Sequence, residues 1–184
     1  FLNIGKSNRE FYLQNGIADE KIFFAPYCVD NERFELAYEA LSQERDSIRE
    51  RWGITSTAFT FLFCAKFIEK KYPMHLLNSM CIAIKKIEDL SIRIHLLMVG
   101  DGKQKIECEE FVRQRKLPVT FTGFLNQTEI VQAYVASDCL VLPSDYGETW
   151  GLVVNEAMAC GLPVIVSDHV GCHKDLVYSG QTGD

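Results

Sequence analysis

The chain has 184 residues, 47% of them hydrophobic and 24% charged, with a formal net charge of -6. That is the composition of a globular domain long enough to bury a sizeable core, and with no basic stripe it argues against a nucleic-acid binder. No apolar run reaches the roughly 18 residues of a membrane-spanning helix. The opening Phe1-Leu2-Asn3-Ile4-Gly5 lacks the basic-then-apolar pattern of a signal peptide, and the chain is expected to begin in mid-fold.

In chain order, apolar runs alternate with helical spacings. Ile22–Ala25 reads as a strand, followed by a turn-rich connection from Pro26 to Asn31 that marks the best domain boundary. Phe34, Ala37, Leu41, Ile48 and Trp52 then recur at helical spacing, which predicts one helix stopped by Gly53. Strands are expected at Phe59–Cys64, Ile92–Val99, Val119–Thr122, Cys139–Leu142 and Pro163–Ser167. Helices are expected between them: one carrying Leu77, Met80, Cys81, Ile84 and Ile87, then Lys103–Lys116, Gln127–Ala136 and Leu152–Cys160. Several of the strands are apolar throughout, as strands covered on both faces are. The alternation predicts an α/β fold with a doubly wound, mostly parallel Rossmann-like sheet, whose ligands bind at the carboxyl ends of the strands.

The seven cysteines form no CxxC pair, and most lie in apolar runs, where cysteine acts as a small buried hydrophobe. They point to a reducing, cytoplasmic compartment, so the Asn126-Gln127-Thr128 sequon is read as a chance match. Asp168, His169, Cys172, His173 and Asp175 are close in sequence, but one loop without a second ligand set is weak evidence for a metal. His75 and His95 read as structural. Val99-Gly100-Asp101-Gly102 fails as a dinucleotide fingerprint because Lys105 takes the place of the third glycine, so it reads as a tight strand-to-helix turn.

Most of the chemistry lies after Leu142. There the strand gives way to the polar loop Pro143-Ser144-Asp145-Tyr146-Gly147-Glu148, and a helix opens near Gly151. The first N–H groups of a helix have no intrahelical acceptor, so a helix start beside strand ends suits an anion. The N–H groups of Thr149, Trp150, Gly151, Leu152 and Val153 are expected to cradle a diphosphate. Glu156, a turn and a half into the helix, offers two acceptor oxygens for ribose hydroxyls, and Glu148 can contact sugar hydroxyls for the same reason. Trp150 either stacks on the donor or anchors the loop as a core residue. Spacing alone leaves open that both glutamates are surface charges.

Glu148 and Glu156, with seven residues between them and Ala157-Met158-Ala159-Cys160-Gly161-Leu162-Pro163 following, resemble the EX7E segment of glycosyltransferase family 4, the "glycosyl transferases group 1". Three more stretches match that family in order: Pro26-Tyr27-Cys28-Val29-Asp30, Val99-Gly100-Asp101-Gly102 and Phe121-Thr122-Gly123-Phe124. The resemblance covers nearly the whole chain. It implies one lobe of a retaining GT-B enzyme, the C-terminal donor-binding domain at 31–184, preceded at 1–30 by the end of the N-terminal lobe and a linker. It also implies that Glu156 holds the ribose, Glu148 the sugar, and Gly123 and Phe124 the base. The family's Gly-Arg pair and the lysine five residues on correspond to Ala65-Lys66 and Lys71, the cations that neutralise the diphosphate, while Lys70 reads as a solvated charge. Lysine in place of arginine keeps the charge and loses the planar fork; Tyr72 stands where glycine is frequent.

The activity implied is sugar transfer from a nucleoside-diphosphate donor, with no metal or other cofactor, to a saccharide, lipid or small-molecule acceptor held by an N-terminal lobe outside this chain. Peripheral membrane association of the parent is compatible with it. The fragment alone is expected to bind nucleotide and transfer nothing. A sugar-nucleotide epimerase of the same fold and a degenerate binding module are the alternatives.

Overall fold

The computed structural model describes residues 1–87 and 90–184. Five strands form one parallel sheet: β3 (Phe59–Cys64), β4 (Ile94–Val99), β5 (Val119–Gly123), β6 (Cys139–Leu142) and β7 (Val164–Val166), in the spatial order β5-β4-β3-β6-β7. All four pairings are parallel, so the expected sheet is present. The chain winds outward from β3 to β5, then returns to the other side of β3. The carboxyl ends of β3 and β6 therefore flank the switch point, where open α/β sheets leave a crevice.

Alternate residues of the strands face two cores. Leu62, Leu97, Leu140 and Val164 pack with α2 (Asn31–Ser42), α3 (Arg45–Arg51), α6 (Ile130–Ala136) and α7 (Leu152–Ala159). Phe63, Leu96 and Met98 pack on the opposite face with α4 (Pro73–Ile87) and α5 (Lys105–Arg115). No described helix is long and apolar enough to cross a membrane. All seven cysteines are free thiols.

Several element boundaries depart from expectation by a residue or more, and three of the departures have a physical reason or alter the architecture. The helix read from Phe34 to Trp52 is two helices, because Ser42 to Ser47 are all polar and offer no apolar stripe to hold a straight rod on the core. The strand at Ile22–Ala25 is only β2 (Phe23–Phe24), paired in parallel with β1 (Leu2–Asn3) in a separate two-stranded sheet. Between them runs α1 (Lys6–Gln14), which meets α8 (His173–Leu176) where Asp175 accepts the Lys6 N–H. Helix α6 starts later than Gln127 because Asn126 and Glu129 exchange a reciprocal cap: Asn126 Oδ1 accepts from the Glu129 N–H at 3.1 Å, and Glu129 Oε2 from the Asn126 N–H at 3.0 Å. The sequon asparagine is thus a capping residue.

At the amino ends of the strands, Arg49 is 2% exposed and donates to the carbonyls of Ala136, Thr55 and Ala58. Asp138 lies beside it, accepting from Arg45 and from the Thr60 N–H. His95 is buried nearby. The Thr120 hydroxyl donates to the Trp52 carbonyl and so accepts from His95 Nε2 at 3.0 Å. Burial, reinforced by Arg49, pulls His95 down to about 4, so it stays neutral and structural.

Candidate functional site

At the carboxyl ends of β3, β4 and β5, beside the switch point, lies a cavity of about 760 Å³, lined among others by Cys64, Lys66, Gly100, Phe124 and Glu156. Three connections shape it. After β3 the chain turns through Ala65 and Lys66 into a short 3-10 turn at Glu69–Lys71, closed by Tyr72 in the left-handed region at φ 51°. That conformation is costly for a residue with a Cβ and would suit the glycine that the resemblance leads one to expect at this position. After β4, Gly100 crosses the Ala65 carbonyl so closely that any Cβ would overlap it. The Val99–Gly102 stretch is thus the tight turn expected. The third connection follows β6.

There the loop from Ser144 to Trp150 is held on two sides. Lys70 Nζ donates to the Gly147 carbonyl at 2.9 Å, and its own carbonyl accepts the Asp145 N–H. Lys70 is exposed, as a solvated charge is, and also tethers the loop. On the other side the carbonyls of Glu148 and Trp150 accept the N–H groups of Gly171 and Cys172 at 3.0 and 3.1 Å. The Trp150 ring is 4% exposed, edge-on to Tyr27, and its Nε1 donates to Asn155. Of the two roles open for Trp150, the burial and the Asn155 bond fit the anchor of the loop. Helix α7 begins at Leu152 with Gly151 as its N-cap. Among the described residues, the N–H groups of Thr149, Trp150, Gly151, Leu152 and Val153 have no acceptor.

The expected charges gather around this helix start. The Lys71 ammonium meets the Glu148 carboxylate, both side chains being largely buried. Burial, with the like charge of Lys70, pulls Lys71 down to about 8. Glu156 reaches into the cavity with its Oε2 accepting from the Tyr134 hydroxyl at 2.5 Å. Burial raises its pKa, while the Tyr134 bond and Arg33 oppose that shift. The Cys64 thiol is influenced by both Glu156 and Lys71. Burial pushes it up to about 12, which leaves it neutral and a poor nucleophile.

Lys66, Phe124 and Glu156 therefore line the cavity, and Phe124 is exposed to it. Gly123 ends β5, its carbonyl accepting the Gly100 N–H at 2.8 Å. Lys71 and Glu148 form their pair by the helix start, outside the cavity lining. Chemically, the arrangement offers cations and free N–H groups to an anion, and carboxylate oxygens to hydroxyls. Sequence reading missed Tyr134 and Arg33, because an apolar helix gives a tyrosine no polar signature and Arg33 looks like a surface residue. The loop from Asp168 to Asp175 does not converge: Asp175 binds Lys6, His173 Nδ1 lies against the Val170 carbonyl, and Cys172 is buried. Among the described residues no three His, Cys, Asp or Glu side chains are placed to hold a metal.

Comparison with known proteins follows the same lines. The family model for Glycosyl transferases group 1 matches residues 44–183. The chain is 26% identical over 183 residues to the D-inositol 3-phosphate glycosyltransferase of Pseudarthrobacter chlorophenolicus, covering 98% of this chain and 42% of that protein. It is 31% identical over 152 residues to the 2-deoxystreptamine glucosyltransferase of Streptomyces kanamyceticus, covering 81% and 37%. The crystal structure of Anabaena Alr3699/HepE in complex with UDP and glucose superposes with a TM-score of 0.72 at 19% identity, over 99% of this chain and 47% of that one. The last likeness is one of fold, that of a GT-B glycosyltransferase. The chain spans less than half the length of each of these relatives.

Proposed function

Because the chain belongs to the glycosyl transferases group 1, we propose that it is the donor-binding lobe, at 31–184, of a retaining family 4 enzyme, with 1–30 as the end of a preceding lobe and its linker. That enzyme moves a sugar from a nucleoside-diphosphate donor to a saccharide, lipid or small-molecule acceptor held by the other lobe. The observation that carries the reading is the helix start at Gly151, where five unpaired N–H groups stand beside the Lys71–Glu148 pair while Glu156 lines the adjoining cavity.

In this reading the ribose lies against Glu156, the base toward Gly123 and Phe124, and the diphosphate on the N–H groups of Thr149 to Val153. Lys66 and Lys71 stabilise the negative charge that grows on the departing phosphate, which lowers the barrier because the charge is larger in the transition state than in the bound donor. Those cations do the work a divalent metal would otherwise do, so no cofactor is assigned. Glu148, released from Lys71 as the phosphate takes that cation, turns to the sugar hydroxyls. The neutral Cys64 thiol supports a route without a covalent thiol intermediate, in which the leaving phosphate assists the incoming acceptor. The free thiols support a cytoplasmic setting. UDP is the first nucleotide to try, since the Anabaena structure holds it.

Thermal unfolding with UDP, GDP, ADP and CMP, beside Glu156→Ala, tests the reading. A nucleotide at a hundred times its dissociation constant stabilises the fold by about 2.7 kcal/mol. A shift with one diphosphate that disappears in the variant is expected. No shift with any of the four would overturn the assignment of a donor site to this chain.

A further inference from the structure

Glu156 does not present both of its oxygens to the cavity. Oε2 is taken by the Tyr134 hydroxyl at 2.5 Å, whereas Oε1 accepts from no group among the described residues. Tyr134 is itself wholly buried, at 0% exposed, on α6. Its ring stands edge-on to Phe34 at 6.1 Å between centroids, so the phenol is fixed by the core. A buried hydroxyl needs a hydrogen-bond partner, and the one it has here is the carboxylate. The bond therefore runs from a rigid donor to an acceptor at the edge of a cavity.

We propose that Tyr134 is a positioning residue of the donor site: it ties off one oxygen of Glu156, so that the carboxylate offers the cavity a single acceptor in one orientation, suited to the vicinal diol of a ribose. This rests on the reading of the cavity as a nucleoside site. The hydroxyl also governs the charge of Glu156. Facing that carboxylate are Tyr134 on α6, Arg33 on α2, Cys64 on β3 and Cys160 at the end of α7, with Lys66 and Asp101 in the cavity. Burial works against ionisation, and Tyr134 and Arg33 partly oppose it. Without the hydroxyl, Glu156 takes up a proton at higher pH and turns freely about its last bond.

The test is Tyr134→Phe, which keeps the ring and its packing and removes one oxygen. Two quantities are measured on this chain: calorimetric affinities for UDP and for 2′,3′-dideoxy-UDP, and the titration of the Glu156 carboxyl by carbon NMR without nucleotide. UDP is expected to bind roughly tenfold more weakly to the variant, as loss of one charge-assisted hydrogen bond implies. The dideoxy analogue should bind as before, and Glu156 should titrate at higher pH. A hydroxyl that only supports the fold would weaken both nucleotides alike or leave the Glu156 titration unmoved, and either result overturns the proposal. Wild-type protein that binds UDP and its dideoxy analogue equally would sink the ribose reading of Glu156 itself, a failure that the NMR titration separates from any failure of Tyr134 to control the carboxylate.

Discussion

Two groups of charged side chains sit at opposite ends of the same strands, built on opposite plans. At the amino ends, Arg49 and Asp138 are 3.6 Å apart, and their remaining bonds go mostly to the chain's own backbone: carbonyls at 55, 58 and 136 for the arginine, the Thr60 N–H for the aspartate. Among the described residues, Arg49 Nε and the Ser137 Oγ are the buried polar atoms there without a partner. At the carboxyl ends, Lys71 meets Glu148, but Glu156 keeps an oxygen unused, Lys66 is exposed, and five N–H groups donate to nothing. Charges bonded to the backbone close their end of the sheet. Charges with spare bonding capacity mark the end to which the proposed donor site is assigned.

The largest expected effect sharpens that contrast. Arg49→Met leaves three carbonyls without their donor, while Asp138 keeps Arg45 and the Thr60 N–H, and should cost about 3–5 kcal/mol of stability through the unsatisfied buried acceptors. The double replacement Lys71→Met with Glu148→Gln should be neutral or stabilising, by up to about 2 kcal/mol, because it removes both charges together. Urea midpoints compare the two, and equal losses would dissolve the distinction. A smaller effect concerns His95. Its folded pKa of about 4 lies below the ordinary value of about 6.5, so on acidification the unfolded chain takes up a proton that the folded chain refuses. Stability should therefore fall between those values by up to about 3 kcal/mol, and His95→Gln should remove that part of the slope. An unchanged slope would show that His95 titrates freely. The smallest effect lies at the open end. Lys71, held at about 8, loses its charge above that pH, so UDP affinity should drop by up to about tenfold between pH 8 and 9. Lys71→Arg, charged throughout, should flatten that limb; a limb that persists in the arginine variant would assign it to another group.

Much of this was legible in the residues, and the rest was not for identifiable reasons. Strands apolar on both faces announced the parallel sheet, and the polar loop followed by the run from Leu152 announced the helix start, whereas the spacing of Glu148 and Glu156 alone announced nothing about their role. The break between Ser42 and Arg45 was hidden because Leu41 and Ile48 keep a helical interval across it. Lys70 looked like its neighbours in sequence, since only the folded chain brings Gly147 to its ammonium. Tyr134 was invisible for the same reason: 22 positions separate it from the carboxylate it binds. Trp150 could face either way on paper; in the fold its indole is buried and donates to Asn155.

Gly171 has a consequence for the free energy of binding. A Cβ there would overlap the Thr149 carbonyl, so the strand of backbone at Gly171 and Cys172 can lie directly against the loop and hold the peptide planes at Glu148 and Trp150. Ordering a loop around an anion ordinarily subtracts from affinity. Here that loss of conformational freedom has already been met during folding, so on the proposed reading a phosphate arriving at the loop need not organise the amides that would receive it. A side chain at 171 would force the planes apart and return that entropy cost to the binding step, weakening the site from a position that offers no side chain to the ligand.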